Sequence, residues 1–189
     1  MGAAAFLAAL AGAGCGGGQA PPDPAALVAE LKSADPARSG DARLKIISLG
    51  EPAVPALVVL LRSDAPRERR LAATTFWGMG ARGAAAAPEL GAALSDSDTE
   101  VRVTSAMALE SMGPAGREAV PALVGALGDS ERRVRQAAVK ALGAMGPAAR
   151  DALPALDREI ARESWPEAEE AVRLIRSAPP GAGAADAER

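Results

Sequence analysis

The sequence contains no histidine and no tyrosine, and one cysteine, Cys15. Without histidine the commonest general base and the commonest metal ligand are both missing. A lone cysteine forms no intrachain disulfide and builds no thiolate metal site. No catalytic, cofactor-binding or metal-ligating constellation is expected. Aromatic residues number two Phe and two Trp, so the apolar half of the chain is mainly Ala, Leu and Val. That composition argues against a β-sandwich, which is rich in aromatic and β-branched residues, and suits closely packed helices. Charge of one sign is scarce as well. The formal net charge is −3, and Pro55 to Ala178 carries 16 basic against 17 acidic residues. No global basic field exists to hold nucleic acid.

Long hydrophobic runs are also lacking. The apolar stretch Ala3–Ala13 has eleven residues, short of the roughly 20 needed to span a bilayer as a helix. Its length and small-residue ending fit a secretory signal. Cys15 follows Leu10-Ala11-Gly12-Ala13-Gly14 and precedes three glycines. This segment resembles a bacterial lipoprotein signal, in which the cysteine becomes the lipidated first residue. Ala13 and Gly14 suit that motif; Gly12 and the absence of Lys or Arg near Met1 depart from it. Two alternatives stand beside it: ordinary secretion, and an Ala/Gly leader on a cytoplasmic protein. The expected organisation is a leader over 1–15, a flexible tether over 16–23, a folded array over 24–177 and a Pro/Gly/Ala-rich disordered tail over 178–189. If Cys15 is lipidated, the protein sits in the bacterial cell envelope, anchored to a membrane.

The array is legible as a repeat. Pro55, Pro88, Pro121 and Pro154 stand 33 residues apart, as do Leu57, Leu90, Leu123 and Leu156. Leu61, Leu94, Leu127 and Ile160 keep the same interval, and so do Gly80, Gly113 and Gly146. A fixed period of this length marks one small unit copied and stacked. In the clearest copy, Leu123 and Leu127 share one face of a short first helix. Gly128-Asp129-Ser130 breaks it, with Ser130 as a plausible cap for the second helix. Val134, Ala138, Ala141, Leu142 and Met145 then recur at helical spacing up to Gly146-Pro147. The preceding copy has a capping box at Ser97-Asp98-Thr99-Glu100, the one before it Asp64 as cap, and the last a further box at Ser164-Trp165-Pro166-Glu167. A degenerate first unit has Asp23 and Pro24 at its start, Leu27 and Leu31 on its first helix, and Leu44, Ile47 and Leu49 on its second. The expected fold is all-α, an α-solenoid of about five stacked helix pairs without a β-sheet. Single pairs cannot bury their apolar faces alone, but stacked neighbours share a core.

The pattern Pro-x-Leu-x3-Leu, then Asp, then Val-Arg-x2-Ala, closed by Leu-Gly-x-Met-Gly, resembles the short HEAT repeat of the phycobilisome-lyase type. The resemblance covers Pro24 to Ser177 and is strongest in the three middle units. It implies a ladder of hydrogen-bonded loop aspartates and second-helix arginines, matched here by Asp96 with Arg102 and Asp129 with Arg135. Asp64 and Arg69 sit one residue out of register, and Ala168 replaces the arginine in the last unit. The resemblance also implies that second helices line a concave side.

Positions that the period places on that side are the binding candidates. They are Arg70, Thr74 and Trp77; Val103, Met107 and Glu110; Gln136, Lys140 and Gly143; and Glu169, Arg173 and Arg176. Trp77 stands where the period has Glu110 and Gly143, beside Val103 and Met107, and forms either an exposed apolar hot spot or an internal packing contact. Trp165 is expected to pack. Arginine clusters at 67, 69 and 70 and at 132, 133 and 135 are read as solvated or structural, a bound anion being the alternative. The expected function is a non-enzymatic scaffold that binds a protein or peptide partner on the concave face, with no nucleic acid and no cofactor. The alternative, implied by the resemblance only, is a bilin-lyase-type enzyme or cofactor binder, for which Glu110 is one of the remaining carboxylates.

Overall fold

The first turn of each repeat explains the proline column. Proline has no N–H to donate, and the first helical turn is where that donor would lack an intrahelical partner. Accordingly Pro55, Pro88 and Pro121 occupy the first turn of α3 (Val54–Leu61), α5 (Ala87–Ala93) and α7 (Val120–Ala126). Pro154 is the second residue of α9 (Leu153–Arg162). The computed structural model describes residues 22–162 and 165–177. Cys15, the rest of the leader, most of the tether, Ser164 and the tail lie outside the described residues.

Among the described residues the fold is all-α, an α-solenoid of five helix pairs. α1 (Pro24–Leu31) pairs with α2 (Pro36–Leu49), α3 with α4 (Pro66–Met79) and α5 with α6 (Thr99–Met112). α7 pairs with α8 (Arg132–Met145) and α9 with α10 (Pro166–Arg176). Gly50, Gly80, Gly113 and Gly146 end the first four second helices with φ between +55° and +68°, a region side chains with a Cβ rarely adopt. The seven-residue 3₁₀ segments Gly80–Ala86, Gly113–Ala119 and Gly146–Ala152 then lead to the next pair. A stop glycine announces the helix end; the 3₁₀ turn that follows was not foreseen.

The core is one continuous column. Leu57, Leu90, Leu123 and Leu156 are fully buried, as are Phe76, Leu109, Leu142 and Ile175 from the facing helices. Met79, Met112 and Met145 close each layer. Each such side chain contributes roughly 1.5–3 kcal/mol by leaving water. The degenerate first unit departs from expectation: α2 buries Ser39, Ala42 and Ile46, whereas Leu44 faces solvent at 67% exposure.

Several caps also sit elsewhere than expected. Asp23 caps α1 as read, accepting from the Ala25 N–H. At α6 the cap is Asp98, whose Oδ1 accepts from the Val101 N–H, and not Ser97. The cap positions of α4 and α8 are Ala65 and Glu131, neither of which makes a side-chain cap bond, so neither Asp64 nor Ser130 fills that role. The loop aspartates are diverted to bracing the turn itself. Asp96 accepts from the Asp98 N–H and Asp129 from the Glu131 N–H, both at 2.8 Å.

Candidate functional site

Second helices pack closely side by side through α4, α6, α8 and α10, while the first helices of successive pairs touch only lightly. The second helices thus form the tighter layer, termed the inner face. Its seams are fixed by charge in the middle of the array. Arg69 donates from Nε and Nη2 to both carboxylate oxygens of Asp96, at 2.7 and 2.8 Å. Arg102 does the same to Asp129 at 2.9 and 3.2 Å. The ladder therefore runs from the arginine of one repeat to the aspartate of the next.

This corrects the expected pairing. Arg102 reaches its own repeat through Nη1 to the Asp96 main-chain carbonyl at 2.9 Å, and Arg135 donates likewise to the carbonyl of Asp129. The carboxylate in each loop is taken by the preceding arginine. Arg69, read as out of register, is a full member of the ladder, and the residue in register with it is Ser63. Burial acts to raise the carboxyls of Asp96 and Asp129. The hydrogen bonds from Arg69 and Arg102, with those from backbone N–H groups, outweigh burial and hold both below the usual carboxylate range.

The inner-face candidates are brought together only in part. Thr74 and Met107 lie half-buried and Lys140 exposed on the solvent stripe, as read. Val103 is buried at 7% exposure, and Gly143 is buried too: a Cβ there would lie 3.2 Å from Ala171 of α10. The columns through 103 and 136 and through 110 and 143 thus turn toward the following helix. Gln136 and Glu110 are half-buried, and Arg70 is exposed beside Asp98 at 3.7 Å. The outward stripe is rotated, running through 67, 71, 74 and 78, through 100, 104, 107 and 111, and through 133, 140 and 144, with Ala137 buried between them at 7% exposure. It includes an ion pair between Arg133 and Glu100 that crosses from α8 to α6. The signal that marks it is a column of small residues at the repeat interval, Gly78, Ser111, Ala144 and Ser177, all exposed.

Trp77 is 48% exposed on α4. Trp165, by contrast, is buried at the start of α10, as expected. Between α8 and α10 lies a groove of about 550 Å³ with a mostly apolar lining, including Val139, Ala144, Ala171 and Leu174. Glu110, Lys140, Glu167 and Glu170 supply its polar groups. No group of three or more His, Cys, Asp or Glu able to hold a metal ion occurs among the described residues.

Comparison with protein-family models matches residues 87–176 to HEAT repeats. No curated protein matches the chain. Among solved structures, the complex of CpcE and CpcF of phycocyanin lyase from Nostoc sp. PCC7120 is similar. It has a TM-score of 0.64 at 20% identity, covering 82% of this chain and 98% of that one. An engineered protein aligns at a TM-score of 0.61 and 21% identity, covering 82% of this chain and 81% of its own. A designed armadillo repeat protein in complex with the peptide (KR)4 aligns at 0.58 and 20%, covering 80% and 81%. Identities this low establish a shared solenoid fold and nothing finer.

Proposed function

From residues 87–176 that carry HEAT repeats, within a solenoid of five stacked helix pairs, we propose a non-enzymatic scaffold that binds a protein or peptide across its inner face. The observation that carries this reading is Trp77. It is the large aromatic residue left half-exposed on the tighter layer, next to a stripe that also holds Met107. A tryptophan in that setting gives a partner much apolar area at little conformational cost. Arg69 and Arg102 are engaged in the seams and Arg135 in its own turn, so they hold the surface in shape and leave recognition to the stripe and to Trp77. A solenoid of this kind commonly serves protein interaction, and the designed armadillo relative binds a peptide.

The test places a photo-crosslinking amino acid at position 74 on the inner layer or at position 92 on the outer layer. Partner adducts are expected from position 74 and to fall about tenfold when Trp77→Ala is added. If Trp77→Ala and Met107→Asp leave every adduct unchanged, the inner face is not the binding surface. A bilin titration monitored by absorbance is the control, since a tightly bound, shifted spectrum would replace the scaffold with a cofactor binder.

Tethering is the second part of the proposal. Cys15, between an apolar leader and a Gly-rich spacer, would anchor the array to a membrane of the bacterial envelope. No helix among the described residues is long and apolar enough to cross one. Metabolic acyl labelling is expected on the wild type and not on Cys15→Ser; label retained by the variant refutes the anchor.

A further inference from the structure

The two layers of the array differ in charge. The first helices form the outer layer, opposite the inner face, and α1, α3, α5 and α7 hold 8, 8, 7 and 7 residues. Between them they carry two charged side chains, Glu30 and Glu89. Each of these is paired, Glu30 with Arg38 and Glu89 with Arg62. In the inner layer α4 and α8 carry four charged residues apiece. A helix that faces solvent ordinarily has charged residues on its outward side. Their absence there from four successive first helices points to an apolar covering. Val59 is 74% exposed, the most exposed of the large apolar side chains among the described residues. One and two repeats on, Ala92 and Gly125 hold the same outward column and are exposed as well. The band stops at α9, where Arg158 takes that column beside Asp157, both exposed.

The size of the band and the place where the chain enters it favour one kind of covering. With neighbouring helices about 8–10 Å apart and a rise of about 1.5 Å per residue, the band measures roughly 30–40 Å by 12 Å, a footprint of about 400 Å². A stable protein interface covers about 800 Å² on each partner, so the band is too small to hold a second copy by itself. A lipid surface has no such threshold when a covalent anchor supplies the effective concentration. The anchor would enter at the right edge. α1 is the first helix of the outer layer, and Cys15 stands nine residues before its first residue, Pro24. Nine extended residues reach about 30 Å, which matches the width of the band.

We propose that, with Cys15 acylated, the outer layer from α1 to α7 lies against the membrane, while the inner face with Trp77 points away from it toward the partner. This rests on the tethering part of the scaffold reading and gives the anchored chain an orientation. The four helices have no aromatic residue and no cluster of cations with which to hold lipid unaided. The contact therefore depends on the anchor.

The test uses the acylated full chain in vesicles of phosphatidylethanolamine and phosphatidylglycerol that carry a nitroxide on the lipid headgroup. A fluorescent amino acid is placed at position 59, 92 or 125 on the outer layer, or at 74 on the inner one. Quenching is expected to be several-fold stronger at 59, 92 and 125 than at 74. Val59→Asp, at an exposed site, should bring the signal at 125 down toward that at 74 without moving the melting curve. Equal quenching at 125 and 74 in an acylated chain overturns the orientation and leaves the anchor standing. A dimer in sedimentation that Val59→Asp dissociates overturns it too, because a second copy would then cover the band. A chain that is never acylated defeats the anchor and the orientation together.

Discussion

Two seams of the inner layer solve one problem in different ways. Between α4 and α6, and again between α6 and α8, an arginine of one repeat grips the aspartate of the next through two hydrogen bonds. At the last seam the aspartate column holds Arg162 and the arginine column holds Ala168. There the close approach of Gly143 to Ala171 and the burial of Trp165 and Ala168 hold α10 against α8. A bidentate arginine–carboxylate pair has one good geometry and so fixes the stacking register. Apolar burial is non-directional and sets affinity more than register. The middle of the array is thus locked in place, and its end is held by packing. The groove that remains open on the inner face lies at this packed end.

Replacing the buried indole breaks the comparison most severely. Trp165→Ala is expected to cost about 3–5 kcal/mol. Because contacts in a repeat array run only between neighbours, the cost should be local. Hydrogen exchange should then show α9 and α10 losing protection while α4 and α6 keep theirs. Uniform loss along the chain would mean that the two seams are not energetically separate.

A smaller effect is expected from Asp96→Ala, about 2 kcal/mol, because it leaves the Arg69 guanidinium facing a seam without its acceptor. Here protection should fall on both sides of the α4–α6 seam and hardly at all in α10. The pH dependence sharpens the contrast further. Asp96 and Asp129 have folded-state pKa values below their ordinary 3.8. The stability they confer is therefore complete above that value and is lost as pH falls through the folded values. Acid should loosen the two central seams, and Asp96→Ala should flatten the acid limb of a plot of melting temperature against pH. An equally steep limb in the variant would show that the ladder does not govern acid stability.

Much of this was readable without coordinates, for a reason visible at single residues. Leu90, Leu123 and Met112 recur at a fixed interval because each sits at the same depth in an identical layer. Gly113 recurs because its backbone angle, φ +55°, excludes a Cβ. Both are local demands that any copy of the unit must meet. The inner face was less legible. Val103 and Gly143 belong to the columns read as exposed, yet they are buried against the next helix. Helical periodicity gives the spacing of faces but not the rotation of a helix about its axis, which is set by its neighbours. The caps failed in a related way. Ser130 is the plausible cap for the start of α8, but the cap position falls on Glu131, and the neighbouring Asp129 is claimed by Arg102 and by its own turn.

The sequence by itself determined the repeat, the all-α architecture, the core columns and the residue types of the ladder. These follow from burial and backbone geometry within one unit, and 33 residues suffice to encode them. Only the tertiary structure decided which aspartate each arginine holds, which face of each second helix meets solvent, and that the α8–α10 seam opens into a groove. Those outcomes depend on how one unit lies on the next. Stacking is a relation between copies, and no single copy contains it.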